Sequence, residues 1–169
     1  MWNDDETPLA FFISFRCYGT WLHGDSRGSV DRFHNRYGTP FLPKNESWRN
    51  YNQKQLKTKP LKLKARHRNL VSNAINETCR IRKWRLYALS VRTNHVHSVV
   101  WANKKPEQIL GAFKANATRQ LREGGLWPHP FSPWVDKGSK RWLWTEQSLI
   151  EAIDYVLYSQ GDELPESDD

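Results

Sequence analysis

The alternation of apolar and polar segments along the chain predicts a series of strands and helices. A nearly continuous apolar and aromatic run at residues 9–18 predicts a buried central strand. Two further strands are separated only by Thr93-Asn94, which predicts an antiparallel hairpin. Elsewhere, apolar residues recur at helical spacing. The predicted strands cover residues 9–18, 85–92 and 95–101, and the predicted helices cover residues 64–83, 106–123 and 146–160.

The C-terminal third of the sequence predicts a further strand region and a last helix. Residues 134–144 predict either a strand pair around Lys137-Gly138-Ser139 or one interrupted strand. Thr145 is a suitable N-cap for the helix that follows. Tyr155 lies about 160° from the centre of the apolar stripe of that helix, so it is either a surface residue or a functional one. The predicted stripe is Leu149, Ile150, Ile153, Val156 and Leu157.

The element order β-α-ββ-α-β followed by a helix predicts an α+β fold. This order is typical of a ferredoxin-like split βαβ, in which a central antiparallel sheet carries two helices on one face. The predicted divisions are a loose N-terminus (1–8), one domain (9–160) and an acidic tail (161–169). Residues 19–60 form a long basic and aromatic insertion, which favours a binding loop over a spacer, with an ordered surface insertion as the alternative.

The charge balance of the chain favours a polyanionic partner. Lys and Arg number 26 against 18 Asp and Glu, which gives a net charge of +8. Nucleic acid is the first expectation for such a surface and an anionic membrane surface is the second. No apolar run is long enough to span a membrane and no signal-peptide pattern is present, so we expect a soluble intracellular protein. Among the nine tryptophans, one or two could stack on unpaired bases.

His95 and His97 lie two residues apart on a predicted strand. Because side chains alternate between the faces of a strand, both imidazoles share one face, with their Cα atoms about 7 Å apart. This spacing allows both rings to bind one divalent ion. The alternative interpretation is two unrelated histidines at a sheet edge, each hydrogen-bonded to water or to a carbonyl.

The combination of these motifs resembles the HUH single-tyrosine transposases, and within them the branch associated with repetitive extragenic palindromes. The resemblance rests on three segments and spans roughly residues 9–160. These segments are Phe12-Ile13-Ser14-Phe15 as the first strand, Arg92-Thr93-Asn94-His95-Val96-His97 as the metal-binding strand, and Ile153-Asp154-Tyr155-Val156-Leu157 on the last helix.

The resemblance implies a metal-dependent DNA transesterase. His95 and His97 would hold Mg²⁺ or Mn²⁺, and Tyr155 would attack a phosphodiester to form a 5′-phosphotyrosine intermediate. The implied substrate is single-stranded or hairpin DNA from a palindromic repeat. A bacterial, cytoplasmic and nucleoid-associated protein is implied, either a monomer or a homodimer. In a homodimer the tyrosine of one chain could serve the histidines of the other.

The motifs leave two candidates each for the third metal ligand and for the nucleophile. The family often has Gln or Asn one turn after the tyrosine, where this chain has Ser159. Gln160 is the favoured ligand, provided that the last helical turn is distorted, and Glu151 is the alternative. Tyr158 also avoids the predicted apolar stripe, so it is the rival of Tyr155 as nucleophile.

Basic side chains on several elements are candidates for contacts with DNA phosphates. They are Arg27, Arg32, Lys114, Arg119, Arg122, Lys140 and Arg141. Two other functions remain open: a non-catalytic protein that binds structured nucleic acid, and a metallohydrolase of small phosphoesters that uses water as nucleophile. The net charge argues mildly against the hydrolase, because a small substrate does not need such a basic surface.

Overall fold

The computed structural model describes residues 7–20 and 56–168, which form four strands and three helices. In chain order these are β1 (Ala10–Arg16), α1 (Ala65–Arg82), β2 (Arg85–Val91), β3 (His95–Trp101), α2 (Pro106–Glu123), β4 (Ser139–Leu143) and α3 (Glu146–Tyr158). No helix in these two ranges is long and apolar enough to cross a membrane. Arg27, Arg32 and most of the predicted insertion lie outside the described residues, as do residues 1–6 and 169.

The four strands form one antiparallel sheet in the order β2-β3-β1-β4. β1 pairs with both β3 and β4, so the first apolar run is a central strand, as predicted. Together with α1 and α2 this order is that of a split βαβ, and the predicted α+β class is confirmed. The region before β4 follows the interrupted-strand prediction. Trp134 forms an isolated bridge with Cys17, and pairing with β1 resumes at Ser139.

The two faces of the sheet are covered by different helices. Helices α1 and α2 cover the face that carries Phe11, Ile13 and Phe15 of β1. Helix α3 packs on the opposite face, which carries Ala10 and Phe12. Each large apolar side chain removed from water on the first face contributes about 1.5–3 kcal/mol to stability. The core on that face includes Phe11, Ile13, Phe15, Val96, Val100, Phe113 and Leu121. The thiols of Cys17 and Cys79 are also buried there, and burial raises the pKa of both.

The orientation of α3 differs from the prediction made from its apolar stripe. Ile150 and Leu157 are 55% and 47% exposed, whereas Ala152 and Val156 are buried against the sheet. Because the side chain of Ala152 is small, this side of α3 can pack closely on the sheet. The buried face is therefore rotated, and Tyr155 lies about 110° from its centre instead of about 160°. This rotation brings Tyr155 to the flank of the helix–sheet interface.

The C-terminal acidic segment caps the first helix. The carboxylate of Asp168 accepts hydrogen bonds from the backbone N–H groups of Ala65 (2.6 Å) and Arg66 (3.2 Å). These donors have no partner within the helix. A negative charge at the N-terminal end also interacts favourably with the helix dipole and stabilises the helix. Partial desolvation acts to raise the pKa of Asp168, but the two N–H donors and nearby basic side chains outweigh it and lower that pKa.

Replacing Asp168 with Asn is therefore expected to lower the melting temperature at neutral pH. The folded-state pKa lies below the unfolded one, so the carboxylate stabilises the fold above the usual aspartate range. That contribution is lost as the pH falls through the folded-state pKa, and the difference between wild type and variant should vanish there. Thermal melts across acidic pH measure this. Asp162→Asn is the matched control, and an equal shift in it would contradict the capping role.

Candidate metal and nucleophile site

His95 and His97 lie on the face of β3 that α3 covers. Their ring centroids are 4.7 Å apart, so the pair shares one face of the strand as its spacing predicted. Val99, two residues further on that face, packs in the apolar cluster with Ala152 and Val156 of α3. The same packing that buries the last helix thus brings its C-terminal end towards the two imidazoles.

Each ring nitrogen of His95 lies close to a side-chain amide oxygen. Its Nδ1 lies 2.6 Å from Oδ1 of Asn94, which can only accept, so Nδ1 carries the proton. In the neutral imidazole, Nε2 is then an acceptor, and it lies 3.3 Å from Oε1 of Gln160. Two acceptors that face one another are satisfied by a shared cation or by a proton on His95. The donor set therefore fits a metal ion.

Gln160 reaches His95 because the helix ends before it. Regular helix stops at Tyr158, and Ser159 has φ −114° and ψ 21°, which departs from helical geometry. The side-chain amide of Gln160 donates from Nε2 to the carbonyl oxygen of Tyr155 (3.0 Å), and this bond orients Oε1 towards His95. Gly161 follows with φ +93°, a conformation that favours glycine.

Glu151, the alternative third ligand, is one turn before Tyr155 on the exposed side of α3. Its carboxylate accepts a hydrogen bond from the side-chain amide of Gln147 (2.7 Å). Of the two candidates, Gln160 is the one whose contact with a histidine is seen. Its role as a metal ligand stays a prediction.

His97 is held by a serine of the neighbouring strand. Ser14 is its register partner on β1, and the Ser14 hydroxyl forms a short hydrogen bond with Nδ1 of His97. This contact leaves Nε2 as the nitrogen that is available to a ligand. Burial, together with the charge of the neighbouring His95, lowers the pKa of His97 to about 3. His97 is therefore neutral at physiological pH, which is the form that binds metal ions.

Tyr155 lies beside the histidine pair within the same chain. The centroid of its ring is 5.8 Å from that of His97 and 5.8 Å from that of Phe12 on β1. Phe12 in turn lies 5.5 Å from His97, so the three rings form one cluster. Tyr155 remains 47% exposed, so an external substrate can reach it. Tyr158 is 78% exposed, and no aromatic contact joins it to any described residue of this cluster.

Basic side chains lie at the edge of the site. The guanidinium of Arg141 lies over the Phe12 ring, 5.6 Å from its centroid. Arg16 is the register partner of His95, and directly opposed residues of antiparallel strands share a face. Arg92 donates to the carbonyl oxygen of Asp162 (2.8 Å), just beyond Gln160. A phosphate brought to Tyr155 would therefore lie among positive charges.

The other predicted DNA-binding residues that the structure describes have contacts within the protein. Lys114 donates to the carbonyl oxygens of Val135 and Lys137, and burial lowers its pKa. Arg119 pairs with Glu77 and Glu123, and Arg122 donates to carbonyls of residues 129–131. Lys140 alternates with Arg141 on β4 and so lies on the opposite face of the sheet. Of these five residues, Arg141 is the one that contacts the aromatic cluster, through the Phe12 ring that adjoins His97.

The available ligand atoms form a neutral donor set of two imidazoles and one amide. In the described part of the chain, no three His, Cys, Asp or Glu side chains lie close enough together to hold a metal ion. Two imidazoles suit a transition ion better than Mg²⁺, which prefers oxygen ligands and keeps its water. The missing negative charge could be supplied by a substrate phosphate. The set thus fits a divalent ion that binds together with its substrate.

Sequence patterns did not single out every residue that shapes the site. Four residues contact the histidines or lie opposite them, but the sequence predicts no role in the site for them: Phe12, Ser14, Arg16 and Asn94. A signal was present in β1, where polar Ser14 and Arg16 alternate with buried apolar residues. That alternation places them on the second face, but it cannot say which strand they adjoin.

Comparisons with known proteins give a similarity in structure alone. No protein-family model matches the chain, and no curated protein sequence matches it significantly. Among solved structures, the chain is similar to a REP-associated tyrosine transposase bound to a REP hairpin, with a TM-score of 0.47 and 12% sequence identity. The similarity covers 89% of this chain, which spans 65% of the length of that protein.

Proposed function

We propose that this protein cleaves and rejoins single-stranded or hairpin DNA, with Tyr155 as the nucleophile and a divalent metal ion bound at His95 and His97. The observation that carries the proposal is the convergence of four side chains: two from β3, one from α3 and one from the turn that follows α3. The Tyr155 ring lies 5.8 Å from that of His97, and the His95 Nε2 faces the Gln160 oxygen at 3.3 Å. Two imidazoles and one amide oxygen beside a phenol that is 47% exposed fit a metal-assisted attack on a phosphate.

The proposed reaction exchanges one phosphodiester for another. The Tyr155 oxygen forms a bond to phosphorus while the bond to the 3′-oxygen of the preceding nucleotide breaks. The phenolic proton is lost to solvent and the leaving oxygen gains one, which gives a 5′-phosphotyrosine and a free 3′-OH. Attack by a 3′-OH reverses the step and rejoins the strand. No external energy source is needed, because the bonds broken and formed are similar.

The residues of this chain would position the reacting groups. Ser14 and Asn94 hold the two imidazoles by their Nδ1 atoms, so the Nε2 atom of each ring would be the one to bind the metal ion. A bound Mg²⁺ or Mn²⁺ would supply Lewis-acid polarisation of the scissile phosphate. Arg141 and Arg16 would bind neighbouring phosphates and orient the strand. Because the phenol and both imidazoles meet in one chain, we propose that a single chain provides a complete site.

The test is the formation of a covalent adduct between the protein and labelled single-stranded or hairpin oligonucleotides. We expect an adduct in the presence of Mn²⁺, less with Mg²⁺ at the same concentration, and none with EDTA. Denaturing gel electrophoresis and mass spectrometry of the linked peptide measure it. DNA binding that survives EDTA, without an adduct under either ion, would favour a non-catalytic binding protein. Turnover without an adduct would favour a hydrolase.

The third ligand can be tested by comparing two variants at matched positions. Gln160→Ala is expected to raise the Mn²⁺ concentration for half-maximal adduct formation by about tenfold or more, because one of three protein ligands is lost. Glu151→Ala is the control and should leave the Mn²⁺ dependence unchanged. The reverse result would assign the ligand to Glu151, whose carboxylate would then have to leave Gln147.

A further inference from the structure

A second candidate site lies at the end of the sheet remote from His95. It is a cavity of about 820 Å³ between residues 7–9, the C-terminal end of α1, the start of β2 and the end of β3. Arg85 on β2 is the register partner of Trp101 on β3, and both line it. Trp101 is six residues from His95, which corresponds to about 20 Å along the strand. The cavity therefore shares no residue with the histidine and tyrosine site.

The cavity is strongly cationic. Arg80, Lys83 and Arg85 line it, and no acidic side chain is among the described residues that do so. Within the described ranges, no hydrogen bond or ion pair joins these three side chains to a carboxylate. Cations that line one cavity repel one another, so an anionic ligand would relieve an unfavourable arrangement among the described side chains.

The backbone at Lys83 gives a second indication of function. This residue ends α1 in the left-handed region, with φ 58°. Glycine or asparagine usually occupies such a position, because a side chain with a Cβ is strained there. The helix end alone does not require a lysine. The side chain of Lys83 lines the cavity, where its ammonium group can meet a ligand.

Aromatic rings line the same cavity as the cations. Trp84, Tyr87 and Trp101 contribute to its wall, and Tyr87 and Trp101 are partly exposed. The guanidinium of Arg85 lies over the Tyr87 ring, 4.9 Å from its centroid, which holds both groups at the wall. Rings beside cations suit a ligand that has a flat base and a phosphate, because the base stacks and the phosphate pairs with the cations.

We propose that this cavity is a second nucleic-acid site that binds a nucleoside phosphate, with its base against Tyr87 or Trp101 and its phosphate at Lys83 and Arg85. The cavity volume is within the range of small-ligand sites and accommodates one nucleotide. A nucleotide of a DNA strand and a free mononucleotide have this same chemistry. The site does not depend on the reaction proposed for Tyr155.

The test measures binding of a fluorescein-labelled oligo(dT) by anisotropy, with EDTA present throughout so that the metal-dependent reaction is silent. The variant Lys83→Asn/Arg85→Gln removes two cations, and asparagine tolerates the left-handed backbone. Affinity should fall about tenfold. The slope of log affinity against log salt should become shallower by about 1.4, since each phosphate contact on a single strand contributes about 0.7.

The matched control is Lys59→Gln/Lys62→Gln, which removes two exposed cations outside the cavity. It should retain the wild-type slope. Equal losses in both double variants would show a general effect of net charge and would overturn the proposal, as would an unchanged affinity in the cavity variant. Competition with thymidine monophosphate separates the two sources: displacement at low concentration assigns the cavity to a free nucleotide, and its absence assigns it to a strand.

A second measurement uses the wild-type chain and so does not depend on the folding of variants. An oligonucleotide that contains 5-bromodeoxyuridine is cross-linked by ultraviolet light, and the linked peptides are identified by mass spectrometry. The peptide that carries Tyr87 or Trp101 should be among them. Cross-links confined to peptides outside the cavity would overturn the proposal. Because EDTA is present here as well, failure of the Tyr155 chemistry would not affect either measurement.

Discussion

Tyr155→Phe should abolish the covalent protein–DNA adduct while leaving DNA binding unchanged. The substitution removes one oxygen atom and keeps the ring that contacts His97 and Phe12. Because that oxygen is the proposed nucleophile, its removal deletes the atom that would form the bond to phosphorus. We expect adduct formation to fall more than about a thousandfold, to the limit of detection. Denaturing gels measure the adduct and anisotropy measures binding.

Tyr158→Phe is the matched control for this experiment. Both changes remove a phenolic hydroxyl from α3, but Tyr158 is more exposed and lies outside the aromatic cluster. The control should form the adduct at the wild-type rate. An adduct that persists in Tyr155→Phe and disappears in Tyr158→Phe would reassign the nucleophile. An adduct that persists in both variants would contradict a tyrosine on α3 as the nucleophile.

His97→Ala has the second large expected effect. Removing this ring deletes a proposed metal ligand and leaves the Ser14 hydroxyl without its partner. We expect adduct formation at limiting Mn²⁺ to fall about a hundredfold or more, since changes to residues that merely support metal ligands already cost about 10- to 100-fold. Mn²⁺ should raise the melting temperature of the wild type, and this shift should be lost in the variant.

The control for the histidine is His129→Ala, which removes an imidazole from the loop after α2. It should retain both the adduct and the Mn²⁺-dependent shift in melting temperature. The thermal shift also separates metal binding from catalysis. A His97→Ala protein that is still stabilised by Mn²⁺ and still forms the adduct would exclude this histidine from the site.

Local pattern was sufficient for the elements and for the placement of the histidines. The period of two along a strand puts His95 and His97 on one face whatever the strand pairs with, and the structure has them there. Apolar runs and helical spacing likewise gave the order of β1 to α3, because each element must bury one face. Register was not available from these patterns, so Ser14 was not predicted as the partner of His97.

The helix that carries Tyr155 shows where local pattern is insufficient. The apolar pattern predicts that Ile150 and Leu157 are buried, but both are exposed. The side of α3 that contacts the sheet is the one with the small Ala152. Apolar periodicity counts how hydrophobic each side of a helix is, but not which side fits the opposing surface. The fit with the sheet decided the rotation, and that rotation brings Tyr155 to the imidazoles.

The sequence alone thus determined the α+β order of elements, the shared face of His95 and His97 and the basic character of the chain. Tertiary structure decided that Gln160 reaches His95 beyond the helix end, that Ser14 holds His97, and that Lys83, Arg85 and Trp101 meet in a second cavity. The physical reason is range: spacing along one element is set by backbone geometry, whereas contacts between distant residues depend on how whole surfaces pack.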